Sequence, residues 1–290
     1  MSEKALEIRG LAKAFPAFVL GPIDLTVPKG AIYGFVGPNG AGKTTTLDLV
    51  FGLGLKDAGS VSVLGLDHQR DERQMKQRAG YVSPDLNYSP WARVSKVISF
   101  VKGFYPTWDD EYCRTLVNAL DVRTDERVSA LSFGARTKLS LVLALSWRPS
   151  LLLLDEPTTG LDPISKQQVF AELLAAVRDG GRAVLISSHA ISDLERFADH
   201  IGLIRNGRMI IEGAIDDVVS RYRVVDIPAG HTSGLDREPG VVVQQRDPER
   251  WRVLLDERVT PLERLRDSGR SVLSQSSVSL EELVVALGRA

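Results

Sequence analysis

Gly37-Pro38-Asn39-Gly40-Ala41-Gly42-Lys43-Thr44-Thr45 separates two unlike stretches: the apolar Ala31-Ile32-Tyr33-Gly34-Phe35-Val36 before it, and the helix-like TTTLDLVFGL that runs on from Thr44. The spacing fits G-x-x-x-x-G-K-[ST], a phosphate-binding loop, and the strand before and helix after supply the context that pattern needs. Glycines let the backbone curl close to phosphate oxygens and turn its N–H groups inward, and the helix adds its positive N-terminal end. Lys43 would reach the β- and γ-phosphates of a nucleotide, and the Thr44 hydroxyl would bind Mg²⁺. Gly37, Asn39, Gly40, Ala41, Gly42 and Thr45 form the rest of the cradle.

A second segment narrows the chemistry. Leu151-Leu152-Leu153-Leu154-Asp155-Glu156 is an apolar run ending in two carboxylates. Such a run buries a strand and delivers Asp155 to its carboxyl end, where open α/β sheets bind ligands. Asp155 would hold Mg²⁺ directly or through water. Glu156 would orient or deprotonate the water that attacks a γ-phosphate.

Around these segments the chain alternates strand-like and helix-like stretches, which predicts an α/β fold. Strands are expected at residues 6–10, 32–36, 61–64, 151–155, 183–187 and 201–204. Between about 87 and 131 the apolar residues of VSKVISFVKGF and DEYCRTLVNAL recur at helical spacing, which predicts a helical insertion. The texture changes again near residue 220. RVVDI, VVVQQ and WRVLL read as short strands, and PLERLRD and SLEELVVALGR as amphipathic helices, the second capped by Ser279 or Ser277. The organisation read from this is an α/β domain over residues 1–220 and a small α+β module over 221–290.

Composition sets limits. With 36 basic and 37 acidic residues the formal charge is -1, so no attraction to bulk nucleic acid is expected. The single cysteine, Cys113, excludes an internal disulfide and suits a small buried hydrophobe. No apolar stretch reaches the roughly 18 residues of a spanning helix. The N-terminal residues lack the apolar centre of a secretory signal. A cytoplasmic chain is expected, with any membrane role exerted through a partner.

The order of segments resembles the nucleotide-binding domain of the ABC (ATP-binding cassette) ATPases. GPNGAGKTT and LLLLDEP are similar to that family's two nucleotide motifs, and TTGLDP, with Asp162, to the loop that crosses to a second subunit. His189, in LISSHAISDLERFAD, falls at the family's switch histidine, which implies a γ-phosphate contact. Leu131-Ser132-Phe133-Gly134-Ala135 stands where the family carries LSGGQ. The resemblance implies that Ser132 and the Gly134 N–H meet the γ-phosphate held by the opposite subunit. Phe133 and Ala135 depart from the pattern. Phe15, or alternatively Phe18, fits the aromatic that stacks on adenine. The family's glutamine after the next strand is absent: Pro84 takes its position, and Asp85 is the candidate to replace it on Mg²⁺.

The resemblance therefore implies a P-loop core of the ABC type that binds ATP and Mg²⁺. It implies an ATPase that works as a homodimer or as a heterodimer with a related subunit. It further implies a membrane-spanning permease as a separate chain, the ATPase lying peripherally on the inner face of the membrane and driving export. The competing reading is a soluble ABC ATPase of translation or DNA repair. One phosphate loop, no heptad array and near-neutral charge weigh against it. A small-molecule kinase would leave the Ser132 segment and TTGLDP without a role.

Overall fold

The computed structural model describes residues 4–84 and 93–289, apart from the side chains of Asp179, Gly180 and Arg289. In chain order the first part holds β1 (Lys4–Phe15), β2 (Phe18–Pro28), β3 (Ile32–Val36), α1 (Lys43–Phe51), β4 (Ala58–Val63), β5 (Leu66–Asp67), α2 (Glu72–Lys76) and β6 (Ala79–Val82). There follow α3 (Val94–Lys102), α4 (Asp110–Ala119), α5 (Phe133–Leu145), β7 (Leu151–Asp155), α6 (Pro163–Gly180), β8 (Ala183–Ser188), β9 (His200–Arg205), β10 (Arg208–Ala214) and α7 (Ile215–Ser220). The tail adds β11 (Tyr222–Pro228), β12 (Val241–Arg246), β13 (Arg250–Asp256), α8 (Leu262–Asp267), β14 (Ser274–Ser277) and α9 (Leu280–Arg289).

The central sheet is six-stranded, in the order β10-β9-β3-β8-β7-β6. All its pairings are parallel except β10 with β9. The two strands that decide the fold, β3 and β7, are buried at every position, as strands covered on both faces should be. Their side chains divide cleanly between two cores. Ile32, Val36, Leu152, Leu154, Val184 and Ile186 face one cluster, shared with Leu139, Val142 and Leu145 of α5 and Val169 and Leu173 of α6. Tyr33, Phe35, Leu151, Leu153, Ala183 and Leu185 face the other.

That second core is closed by a four-stranded antiparallel sheet, β2-β1-β4-β5, and by α1. The sequence gives little warning of β2, because Gly21-Pro22 interrupts it. Yet its burial alternates around the break, with Leu20, Ile23, Leu25 and Val27 turned inward, as in a sheet with one wet face. Within the stretch read as a helical insertion, the described residues form α3 and α4, and Cys113 is buried in α4. Burial raises the thiol pKa, consistent with an inert core residue.

The tail forms a four-stranded antiparallel sheet of its own, β12-β13-β11-β14. One face, with Val225, Ile227, Val253 and Leu255, packs on Leu262 and Leu265 of α8. The opposite face does not end at a solvent gap. Tyr222, Val224 and Leu254, with Leu280, Leu283 and Ala286 of α9, join the same buried cluster as Ile191, Leu194, Ile201 and Val218. α9 begins with a capping box: the Glu282 N–H donates to Ser279 Oγ at 3.1 Å, and the Ser279 N–H donates to Glu282 Oε2 at 3.0 Å.

Leu254→Ala removes a side chain that is 1% exposed in this shared core, at a cost of about 2–5 kcal/mol. In urea unfolding the whole chain should lose stability in one transition. A tail transition that shifts while the rest keeps its wild-type midpoint would contradict a shared core.

Candidate active site

Four parallel strands end on the same side of the sheet, and the turns that follow them bring the chemistry together. β3 runs into the phosphate loop, β7 into Asp155-Glu156, β8 into His189 and β6 into Ser83-Pro84. Register does the rest. Asp155 lies level with Ser187 of β8, and Leu154 with Val82 of β6.

The loop is shaped by two approaches that only glycine permits. A Cβ on Gly37 would come within 2.3 Å of the Ile204 carbonyl oxygen, and one on Gly42 within 2.7 Å of Leu20 Cδ1. Gly42 also holds φ at 108° and is the N-cap of α1, with no side-chain cap bond. The first N–H groups of α1 are thus left for a ligand. Ala41 is buried and donates to the Pro38 carbonyl at 3.2 Å, while Asn39 and Gly40 lie exposed at the tip of the turn.

Lys43 is 6% exposed, an unusual place for a charge. It is retained there by partners: Nζ donates to the carbonyl oxygens of Gly37 at 2.7 Å and Pro38 at 3.3 Å, and lies 3.3 Å from Glu156 Oε1. Thr44 Oγ1 donates to Asp155 Oδ2 at 2.7 Å, and Ser187 Oγ donates to Asp155 Oδ1 at 2.6 Å. Both carboxylate oxygens of Asp155 are therefore engaged, one by the phosphate loop and one by the neighbouring strand. Ser187 Oγ also accepts the Glu156 N–H at 2.9 Å.

Glu156 sits at φ 49°, a left-handed conformation that costs a non-glycine residue about 1–2 kcal/mol. The turn aims its carboxylate back into the site, where Oε2 accepts from Thr159 Oγ1 at 3.1 Å and lies 2.7 Å from His189 Nδ1. Strain held by surrounding bonds is a mark of functional positions.

These groups surround an open cavity of about 720 Å³ lined by Phe18, Gly40, Gly42, Lys43, Thr44, Thr45, Pro84, Glu156, Thr159 and His189, among others. Phe18, not Phe15, forms its aromatic wall. Phe15 lies beside it, 42% exposed, with ring centroids 6.4 Å apart and planes inclined by 29°. Pro84 stands in the wall at the position of the missing glutamine, and Asp85 falls outside the described residues. Behind the cavity, Tyr81 OH donates to Asp48 Oδ1 at 2.7 Å, tying β6 to α1. Burial and then that carboxylate raise the tyrosine pKa well above its usual value.

Ser132, Gly134 and Asp162 do not line this cavity. Ser132 caps α5, accepting from the Ala135 N–H at 3.2 Å. Asp162 caps α6, accepting from the Ile164 and Ser165 N–H groups, each at 3.0 Å, and from Ser165 Oγ at 2.6 Å. The Ser165 hydroxyl, then its N–H, lowers the Asp162 carboxyl pKa. The two segments touch each other: the Phe133 ring lies so close to Gly160 that a Cβ there would come within 2.8 Å of Cδ1. Phe133 in place of the usual glycine thus roofs the Gly160 turn, its ring still 49% exposed.

The oxygen donors of Thr44 and Asp155 suit a hard divalent cation such as Mg²⁺, which takes few protein ligands and fills its shell with phosphate and water. Among the described residues no cluster of three or more His, Cys, Asp or Glu could hold a metal without such help. Also among them, no helix is long and apolar enough to cross a membrane.

The ABC transporter family model matches residues 20–159. The Nod factor export ATP-binding protein I of Burkholderia lata is 36% identical over 72% of this chain and 70% of its own. The ABC transporter ATP-binding protein YtrB of Bacillus subtilis is 28% identical over 97% of each chain, so the likeness extends through the tail. A solved ATP-binding subunit of an ABC transporter superposes with a TM-score of 0.68 at 24% identity, over 74% of this chain and 92% of that one. The chain belongs to the ATP-binding subunits of ABC transporters, and it binds and hydrolyses ATP.

Ser187→Ala leaves a buried carboxylate oxygen and the Glu156 N–H each short of a partner, at a cost of about 1–3 kcal/mol. Thermal unfolding should register that loss. ATP turnover should fall more than ATP affinity, and turnover equal to wild type would contradict a role for Ser187 in aligning the two carboxylates.

Proposed function

We propose that this chain powers export through a separate membrane-spanning permease, by closing on ATP as a dimer and reopening after hydrolysis. What carries the reading is the ring of contacts on Glu156, since its partners are those that a γ-phosphate would claim. Lys43 is held by Glu156 and by the loop carbonyls of Gly37 and Pro38. ATP offers Lys43 a stronger anion, the inward N–H groups take the remaining phosphate oxygens, and Glu156 is released toward the attacking water. Glu156 then accepts a proton from that water as the new P–O bond forms and the bond to ADP breaks. His189, beside Glu156, keeps that carboxylate and the γ-phosphate in register.

Thr44 and Asp155 would hold Mg²⁺, with the nucleotide phosphates and water completing its shell. The bound cation supplies charge neutralisation across the β- and γ-phosphates. Phe18, backed by Phe15, is the platform for adenine. Ser132, Gly134 and Asp162 lie away from the cavity of their own chain, which supports a head-to-tail dimer in which they complete the partner's site. Whether the second subunit is a copy or a relative, the same surfaces serve.

An apolar groove of about 270 Å³ runs between Phe51, Leu53 and Tyr81 and the helical side formed by Val101, Tyr105 and Trp147. Leu53, on its rim, is 58% exposed. The groove's size and its position between the α/β core and the helical insertion support docking of a permease helix. Export follows the Nod factor relative, which is named as an export protein. A soluble role in translation or repair leaves this surface without a partner.

Glu156→Gln should abolish steady-state hydrolysis, a loss of at least about a hundredfold, and should accumulate an ATP-bound dimer in size-exclusion chromatography. Unchanged hydrolysis contradicts the assignment of the base. In cell fractions the chain should reach the membrane only when its permease is co-expressed.

A further inference from the structure

The tail helix α9 touches the active site through one short turn. His189 is followed by a 3-10 turn at Ile191–Asp193, and α9 lies directly against that turn. Ile191 and Leu194 are buried in one cluster with Leu280, Leu283 and Ala286, and Leu283 is fully buried. The far end of α9 is fixed as well: Arg205 Nη1, at the end of β9, donates to the Leu287 carbonyl at 3.1 Å.

From the other side, Lys166 of α6 holds Asp193 at 2.6 Å. Between the turn and His189, Ser188 Oγ accepts the Ala190 N–H at 3.0 Å and donates to the Ala190 carbonyl at 3.1 Å. The segment from Ser188 to Leu194 is thus held at Ser188, Ala190, Ile191, Asp193 and Leu194. His189 itself has a 51% exposed side chain and makes its contact with Glu156 from the end of this clamp.

We infer that α9 is a positioning element for ATP hydrolysis: Leu283 packs the 191–194 segment so that His189 meets Glu156 and the γ-phosphate. The inference rests on the reading of His189 given above. It makes the tail part of the motor, although none of the described tail side chains lines the cavity. The reason is mechanical, because a close-packed interior transmits a shift rather than absorbing it. A misplacement of roughly 1 Å at a reacting group can cost on the order of a hundredfold in rate.

The test is a double-mutant cycle in the full chain, reading kcat and KM for ATP. Leu283→Ala should lower kcat by about tenfold or more while KM changes less than about twofold, and Leu283→Met should restore most of the rate. Ser279→Ala keeps every packed side chain and only loosens the start of α9, so it should give a smaller fall of the same kind even if Leu283→Ala folds poorly. In a His189→Ala background neither change should slow the enzyme further. A full additional loss in that background, or wild-type kcat in both single variants, overturns the inference and leaves the reading of His189 standing. A His189→Ala enzyme with wild-type kcat overturns both.

Discussion

The carboxylate of Asp155 is the point on which the site depends. Its two oxygens are held by hydroxyls from different elements, Thr44 at the start of α1 and Ser187 on β8. A carboxylate that is 2% exposed is tolerable only when so bonded. Those bonds in turn fix the phosphate loop against β7 and β8. Because Ser187 also takes the Glu156 N–H, the strained turn that aims Glu156 is anchored at the same place. Sheet register, loop shape and the orientation of Glu156 are one constraint seen from three strands.

A second consequence concerns charge. Lys43 and His189 both contact the Glu156 carboxylate, at 3.3 Å and 2.7 Å. Lys43, 6% exposed, would be costly to bury alone, so its ion pair with Glu156 would open when a competing anion arrives. This gives nucleotide binding a differential contact with the two states, which a ligand-driven change requires. The Ser132 and Asp162 segments, which touch each other through Phe133 and Leu161, form a single unit. In the proposed dimer a second subunit would therefore engage both together.

Much of this was legible in the sequence because buried parallel strands and phosphate loops leave dense local signatures. β3 and β7 fall at the expected residues, since an uninterrupted apolar run ended by glycine or aspartate has few other solutions. β2 was missed because Gly21-Pro22 breaks a pattern that only its antiparallel partner β1 makes regular. Ser187 carried no signal: ISSH reads as a plain strand end, and its role arises from the β7–β8 register. Sequence position puts Phe15 ahead of Phe18, whereas the turn between β1 and β2 decides which ring faces Gly42, and that ring is Phe18. The tail read as an appendage because its junction with Ile191 and Val218 is formed by residues distant in the chain. Periodicity reports which face is apolar, not what covers it.

The most direct measurement is the Mg²⁺-dependence of the stabilisation that ATP gives to wild type and to Asp155→Asn. In wild type, ATP at a hundred times its dissociation constant stabilises by about 2.7 kcal/mol, and Mg²⁺ should increase the apparent affinity sharply. In Asp155→Asn the increment from Mg²⁺ should vanish while ATP alone still raises the melting temperature through the phosphate loop. A variant that keeps the full increment would mean that the cation is held elsewhere, and that Asp155 is only a structural link between α1 and β8.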